Sequence, residues 1–267
     1  MRKPRKFVTS FLIPFNMNNK AAQFVKVIFF LSAALELYAE FVHHREMMFV
    51  LKPFLLPLLA LYYVLSVDGK WNKAHLLMIP ALFFSWVGDV SLLLTPENAL
   101  DTSIMGVPKN KYYFFGGVGG FLVSHLFFIS VYLQDKINFS TSLFSRTKLP
   151  FMLIVLFVVA MIVTVVPRVY ANPEKSIAAF PVVIYALVLG SMVFFALNRY
   201  GFVNAAGFWS VFVGSVWFLI SDSMIAINFL AFEGAIPKAG FWIMLTFLAA
   251  EFLIAEGILK TYKKEIS

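Results

Sequence analysis

Long runs of apolar residues, separated by short polar stretches, make up most of this chain of 267 residues. Each run has roughly the 17–25 residues that an α-helix needs to cross the hydrocarbon core of a bilayer. The pattern predicts an all-α fold, a polytopic membrane protein built as a bundle of about eight transmembrane helices. The predicted helices cover residues 22–42, 48–67, 74–95, 112–133, 149–166, 176–197, 205–230 and 240–259.

The connections between these runs are short and contain turn residues, such as Asp68-Gly69, Asn172-Pro173 and Ile236-Pro237. Glycine and proline at such positions end helices and form turns, so we read them as loops within one domain. The domain organisation expected from this pattern is a basic cytoplasmic tail over 1–21, an eight-helix transmembrane domain over 22–260 and a short cytoplasmic tail over 261–267.

Composition agrees with a membrane protein and excludes several other classes. The chain is 61% hydrophobic and 13% charged, whereas soluble domains carry about 25% charged residues. The formal charge of +8 does not indicate nucleic-acid binding, because the basic residues are spread over tails and loop ends. Cysteine is absent, which excludes a disulfide, a thiolate nucleophile and a cysteine-based metal site.

The distribution of lysine and arginine predicts the orientation. With the N-terminus inside, about 14 basic residues, Arg199 among them, fall on the cytoplasmic side, and about seven fall on the opposite side: Arg45, Lys52, Lys109, Lys111, Arg168, Lys175 and Lys238. Cytoplasmic loops are enriched in lysine and arginine. Both termini are therefore predicted in the cytoplasm of an integral, multi-pass membrane protein.

Two aspartates, Asp89 and Asp222, lie inside the third and seventh apolar runs. A charged group near the bilayer centre costs about 2.5–3.5 kcal/mol on insertion scales, so two of them indicate a reaction site or an ion path. Both lie about two-thirds along helices predicted to run in the same direction, which places them at a similar depth. Glu36 and Lys52 fall toward the same side, and His125 and Glu251 fall nearer the middle.

Two carboxyl groups in one pocket of low dielectric do not both ionise easily. A protonated acid beside an ionised base is the arrangement that breaks acetal-like bonds. The structural alternative is that each aspartate braces a helix contact through Ser85, Ser221 or Ser223. For His125, Glu36 and Glu251 the structural alternative is an interhelical hydrogen bond. For Lys52 it is a side chain that extends to the membrane interface.

Several stretches resemble the YhhN-type membrane proteins, which include the lysoplasmalogenases. The matching residues lie between Leu51 and Gly257: Lys52-Pro53, Phe84-Ser-Trp-Val-Gly-Asp89, Phe121-Leu-Val-Ser-His125, Pro181 with Tyr185, and Phe218-Leu-Ile-Ser-Asp222-Ser-Met-Ile-Ala-Ile-Asn228. The last stretch is the most specific. One departure is Glu251, which stands where the family often has glutamine.

The resemblance implies an eight-helix enzyme that hydrolyses the vinyl ether bond of lysoplasmalogens, giving a fatty aldehyde and glycerophosphoethanolamine or glycerophosphocholine. Asp89 and Asp222 match the family's acid–base pair. We expect no metal and no organic cofactor, and a lysophospholipid in the bilayer as the substrate. The further candidates for substrate-binding or supporting residues are His125, Glu251, Glu36, Lys52, Ser85, Ser221, Tyr185 and Asn228.

Two alternatives use the same buried acids. In a proton-coupled transporter the acids would relay protons, and the glycine and proline positions would act as hinges. In a lipid-binding or sensor protein the pocket would hold a lysolipid without turnover. The oligomeric state does not follow from the sequence.

Overall fold

A computed structural model describes residues 19–67, 69, 71–95, 112–173, 175–232 and 234–263. The described chain contains nine α-helices and no strand, which confirms the all-α prediction. The helices are α1 (Asn19–Val42), α2 (Arg45–Ser66), α3 (Lys73–Leu93), α4 (Tyr112–Tyr132), the short α5 (Leu143–Arg146), α6 (Leu149–Ala171), α7 (Ala179–Asn198), α8 (Ala205–Ile225) and α9 (Ala239–Tyr262).

Seven of these helices are long and apolar enough to cross a membrane by length and composition, so the chain is a multi-pass membrane protein. They correspond to the second through eighth predicted segments. The first predicted segment is α1, which is not among the seven, although its 24 residues span about 36 Å at 1.5 Å per residue. The predicted tails lie mostly outside the described residues.

Local sequence explains where several helices begin. The side chains of Asn72 and Asn204 accept hydrogen bonds from the backbone N–H of His75 and Gly207, at the starts of α3 and α8. Such side-chain caps satisfy N–H groups that have no partner within the helix. Pro150, in the first turn of α6, has no N–H that needs a partner there.

α6 is longer than predicted. It continues through Pro167 to Ala171, five residues beyond the predicted end. The Asn172-Pro173 turn that the sequence indicated follows the helix directly. The apolar run ends before the helix because Arg168 interrupts it; the Arg168 guanidinium lies over the Phe232 ring at 4.2 Å.

Apart from the four-residue α5, successive helices run in opposite directions, so that α1 begins and α9 ends at the same face of the bundle. Lys26 on α1 and Glu256 on α9 are joined there at 3.0 Å. We call this the terminal face. α3 and α8 both run from the terminal face to the opposite face, and they carry Asp89 and Asp222 in their last two turns.

Glycines bring two pairs of helices into close contact. A Cβ atom on Gly120 of α4 would lie 2.7 Å from the backbone nitrogen of Gly88 on α3. On the other pair, a Cβ on Gly257 of α9 would lie 2.8 Å from the backbone nitrogen of Val211 on α8. Small residues allow helix backbones to approach in membranes, and these contacts fix α3 on α4 and α8 on α9.

The structure predicts that Gly120→Ala destabilises the protein by about 1–3 kcal/mol, because the added methyl group meets backbone atoms that cannot move aside. Gly119→Ala is the matched control, since a Cβ at Gly119 has no atom within 4 Å. Thermal unfolding in detergent measures both. Equal losses in the two variants would contradict the close packing of α3 on α4.

A second polar cluster lies at the terminal face and was not predicted. Arg199, assigned to a cytoplasmic loop from the sequence, is fully buried. Its Nε donates to Asp135 Oδ2 at 2.5 Å and its Nη2 donates to Thr261 Oγ1 at 2.9 Å. Tyr262 donates to Asp135 Oδ1 at 2.6 Å. Because these residues come from the ends of α4, α7 and α9, the cluster ties three helices together.

Candidate functional site

The structure brings Asp89 and Asp222 to the walls of one cavity of about 530 Å³. Each aspartate is only 6% exposed. Asp89 follows Gly88, whose missing side chain leaves space for the ring of Phe121. The rings of Phe121, Phe218 and Phe247, from α4, α8 and α9, pack against one another with centroids 5.4–6.2 Å apart. These rings join the two glycine-packed helix pairs beside the cavity.

The third ionisable group of the cavity is the Lys52 ammonium, from the first half of α2. Its Nζ lies 2.6 Å from Glu40 Oε1 and 3.9 Å from Glu36 Oε1. Glu36 and Glu40 are four residues apart, so they lie on one face of α1. Glu40 also lines the cavity. It was not predicted from the sequence, although the spacing from Glu36 was the signal that pointed to it.

Glu40 is held against the first turn of α9. A Cβ atom on Gly240 would meet Glu40 Oε2, so a larger residue there would displace this carboxylate. The N-terminus of a helix favours a negative charge. Lys52 and the start of α9 together position Glu40 at the wall of the cavity.

Around Asp222 the structure gathers Tyr185 and His125. The Tyr185 hydroxyl donates a hydrogen bond to Asp222 Oδ2. His125 Nε2 lies 3.6 Å from the same oxygen, and its ring packs edge-on against Phe218 with centroids 4.6 Å apart. Both residues were candidates from the sequence. Their common contact is Asp222, so they position this carboxyl group rather than Asp89.

Glu251 lies behind the cavity and is fully buried. It interacts with the hydroxyl group of Ser85 and electrostatically with both aspartates. It does not line either of the two cavities described for the bundle. Glu251 therefore places a third acid next to the pair without direct access to the cavity.

The serines do not brace the aspartates. Ser85 Oγ pairs with Ser124 Oγ at 2.7 Å, and Ser221 Oγ donates to the carbonyl of Ile243 at 3.1 Å. Ser223 Oγ donates to the carbonyl of Leu219 within its own helix at 2.7 Å. The alternative in which each aspartate holds a helix contact through one of these serines is therefore wrong. Ser221 instead joins α8 to α9.

Asn228 has a structural position in a π-helical turn over Ala226–Ala231, which continues α8. Its Oδ1 accepts a hydrogen bond from the backbone N–H of Ile236 at 3.0 Å, and its carbonyl accepts one from Gly234 at 3.1 Å. These contacts hold the loop that leads to α9 and to Gly240. Asn228 lies outside the cavity lining, so it supports the site through this loop.

An apolar cavity of about 830 Å³ adjoins the charged one. It lies between α4, α6, α7 and α8, and its lining is apolar apart from Tyr185, Asp222 and Ser223. α6 and α7 pack closely beside Val158, which lines this cavity: a Cβ on Gly190 would lie 2.6 Å from the Val158 side chain. The residues common to both cavities are Leu92, Phe121, Asp222 and Ile225. Asp222 is therefore the ionisable group at the junction of an apolar and a charged space.

Several buried polar atoms of the site lack a hydrogen-bond partner among the described residues. They include Asp89 Oδ2, Asp222 Oδ1 and both carboxyl oxygens of Glu36. Buried polar groups are nearly always hydrogen-bonded, so a cluster of exceptions indicates a site that binds something. No group of three or more histidine and acidic side chains in the described part of the chain has the arrangement of a metal site.

The comparison with protein families matches residues 47–258 to the model of the YhhN family. The chain belongs to the YhhN family. This match confirms the resemblance found in the sequence and covers α2 through most of α9, whereas α1 with Glu36 and Glu40 lies outside it. Comparisons with curated proteins and with solved structures found no match.

Proposed function

We propose that this YhhN-family protein is a hydrolase that cleaves the vinyl ether bond of lysoplasmalogens. The observation that carries the proposal is the position of Asp222 where the apolar cavity meets the charged cavity. A single-chain lipid has the same division into an apolar chain and a polar headgroup. With its chain between α6 and α7 and its headgroup near Lys52, its vinyl ether bond would lie beside the aspartates.

The proposed reaction adds water across the vinyl ether and then breaks the carbon–oxygen bond. A carboxylic acid protonates the alkene carbon that is not bonded to oxygen, which gives an oxocarbenium-like cation. A carboxylate stabilises the cation and takes a proton from the attacking water. The hemiacetal then collapses to a fatty aldehyde and a glycerol hydroxyl. One water is consumed, and no electrons are exchanged with another reactant.

We assign the proton to Asp222 and the negative charge to Asp89. The Lys52 ammonium interacts electrostatically with Asp89, and a positive charge favours the ionised form of a carboxyl group. Asp222 has no basic side chain other than His125 beside it, and its Oδ1 is free of partners among the described residues while Tyr185 donates to Oδ2. Oδ1 is then available to carry the proton toward the substrate.

The experiment uses purified protein and three lysolipids with the same chain length and an ethanolamine headgroup, joined by a vinyl ether, an alkyl ether or an ester. We expect aldehyde from the vinyl ether alone, because only this substrate has an alkene carbon to protonate. Hydrolysis of the ester at an equal rate would contradict the mechanism. Flux of intact lipid across proteoliposomes without any aldehyde would favour a transporter.

Tyr185→Phe tests the hydrogen bond that holds Asp222. We expect kcat to fall about 10- to 100-fold with little change in KM, since a hydrogen bond to a charged or reacting group contributes about 1.5–3 kcal/mol. Tyr170→Phe is the control, because Tyr170 on α6 is 74% exposed. An unchanged kcat in Tyr185→Phe would remove Tyr185 from the reaction.

We also propose that the terminal face is cytoplasmic. Among the described residues this face carries more basic side chains: Lys20, Lys26, Lys73, Lys136, Arg146, Lys148, Arg199, Lys260 and Lys263, against Arg45, Lys52, Arg168, Lys175 and Lys238 on the opposite side. This distribution follows the positive-inside rule. The aspartates would then lie in the leaflet away from the cytoplasm.

A further inference from the structure

Lys52 places a buried amine beside the point where the proposed reaction releases an aldehyde. Its side chain lines the charged cavity together with Asp89 and Asp222, and only 12% of that side chain is exposed. Burial in a medium of low dielectric favours the neutral form of a lysine. A neutral lysine in such a pocket is the nucleophile with which enzymes form imines with carbonyl compounds. Lys52 therefore has the position of an imine-forming lysine.

An imine at Lys52 would leave the product attached to the site. The lone pair of the neutral amine attacks the aldehyde carbon, and the carbonyl oxygen leaves as water with the two hydrogens of the amine. The nitrogen is then joined to the fatty chain by a double bond. The chain would remain in the cavity, so a protein that releases aldehyde here needs Lys52 in a form that cannot attack.

The carboxyl groups around Lys52 oppose the loss of its proton. Glu40 Oε1 lies 2.6 Å from the ammonium nitrogen, and Glu36 Oε1 lies 3.9 Å from it. Asp89 also interacts electrostatically with the ammonium group. A carboxylate beside an amine favours the protonated form, and its effect is large where the dielectric is low. An ammonium nitrogen has no lone pair, so it cannot attack an aldehyde.

Glu40 is the group best placed to hold this proton on Lys52. It makes the shortest contact with the ammonium nitrogen, and its other carboxyl oxygen lies against Gly240 in the first turn of α9. The start of a helix favours a negative charge, so both neighbours support the ionised form of Glu40. No basic side chain other than Lys52 belongs to the described lining of the cavity. Glu40 therefore acts on Lys52 alone among the basic groups of this wall.

We propose that Lys52 is a latent imine-forming lysine and that Glu40, with Glu36 behind it, keeps it protonated, so that a fatty aldehyde leaves the cavity without modifying the protein. The proposal rests on the proposed hydrolase for the source of the aldehyde. It assigns a protective role to α1, the helix that lies outside the family match.

The test supplies the aldehyde directly. Purified protein in detergent is incubated with hexadecanal and sodium cyanoborohydride, which reduces an imine to a stable secondary amine. Peptide mass spectrometry then measures the modification of Lys52 and of Lys73, an exposed lysine at the start of α3 that serves as the internal reference. In the wild-type protein we expect Lys52 to be modified far less than Lys73. Because the aldehyde is added, this result does not depend on turnover.

Glu40→Gln should raise the ratio of Lys52 to Lys73 modification about tenfold or more, the effect of removing one charge at short distance in a low dielectric. Glu40→Asp keeps a carboxylate and should restore most of the protection. Glu36→Gln should give a smaller rise, and it is the second variant if thermal unfolding shows that Glu40→Gln is not folded. Glu46→Gln is the matched control and should leave the ratio unchanged, because Glu46 is an exposed acid in the first turn of α2.

Modification of Lys52 as readily as Lys73 in the wild-type protein would overturn the proposal. An unchanged ratio in folded Glu40→Gln would overturn it as well. Repeating the reaction with a vinyl ether lysolipid as the only source of aldehyde separates this proposal from the hydrolase. A raised ratio with added hexadecanal but no aldehyde from the vinyl ether would support the protected lysine and contradict the hydrolase. Aldehyde release with the ratio unchanged in Glu40→Gln would contradict the protected lysine alone.

Discussion

Asp222→Asn and Asp89→Asn are each expected to reduce aldehyde release about 10²- to 10⁴-fold, the usual contribution of a general acid or base. Asparagine keeps the size of the side chain but can neither donate the carboxyl proton nor take one from water. Both aspartates line the cavity with one carboxyl oxygen free of partners among the described residues. The measurement is the initial rate of aldehyde release from lysoplasmenylethanolamine.

Asp222→Asn is expected to lose catalysis but to keep substrate binding. Because the Tyr185 hydroxyl can still donate to the remaining carbonyl oxygen at position 222, Asp222→Asn should bind substrate with an affinity close to that of the wild type. Glu46→Gln is the control, because Glu46 is an exposed acid in the first turn of α2 and does not line the cavity. Full activity in either asparagine variant would remove that aspartate from the reaction.

The largest effect on stability is expected from Asp135→Leu. The substitution removes the carboxylate that pairs with the fully buried Arg199 and that accepts a hydrogen bond from the Tyr262 hydroxyl. Leaving one member of a buried ion pair without its partner costs about 3–5 kcal/mol. Thermal or denaturant unfolding in detergent measures the loss.

Two comparisons separate this ion pair from a general effect of charge removal. Glu256→Gln breaks the Lys26–Glu256 pair, whose side chains are 29% and 14% exposed, and should cost about 1 kcal/mol or less. The double variant Asp135→Leu/Arg199→Met should recover much of the lost stability, since no buried charge is left unpaired. A double variant no more stable than Asp135→Leu would contradict this explanation.

The helices were predictable because membrane insertion depends on local sequence. Every backbone polar group in the bilayer must be satisfied within its own helix, so a long apolar run leaves few alternatives. The relative depth of Asp89 and Asp222 follows from helix direction and the fixed rise per residue. Tyr185 and His125 were candidates through motifs, but their common contact with Asp222 became visible only in the structure.

The remaining features depend on contacts between distant segments. Glu40 reaches the cavity because Gly240, 200 positions later, leaves room for its carboxylate. Arg199 looked like a loop residue because it follows an apolar run, and only the packing of three helix ends buries it beside Asp135. The hydroxyls of Ser85 and Ser221 had several possible acceptors, and the sequence does not indicate which of them lies nearest.

Isotope incorporation during cleavage of a vinyl ether tests the central claim most directly. The purified protein is given lysoplasmenylethanolamine in D₂O, and the aldehyde is trapped as it forms and analysed by mass spectrometry. Protonation of the alkene by a carboxyl group predicts one deuterium on the carbon next to the aldehyde carbonyl, and no product above background with Asp89→Asn or Asp222→Asn. An aldehyde formed without that deuterium, or formed equally well by the asparagine variants, would contradict the mechanism.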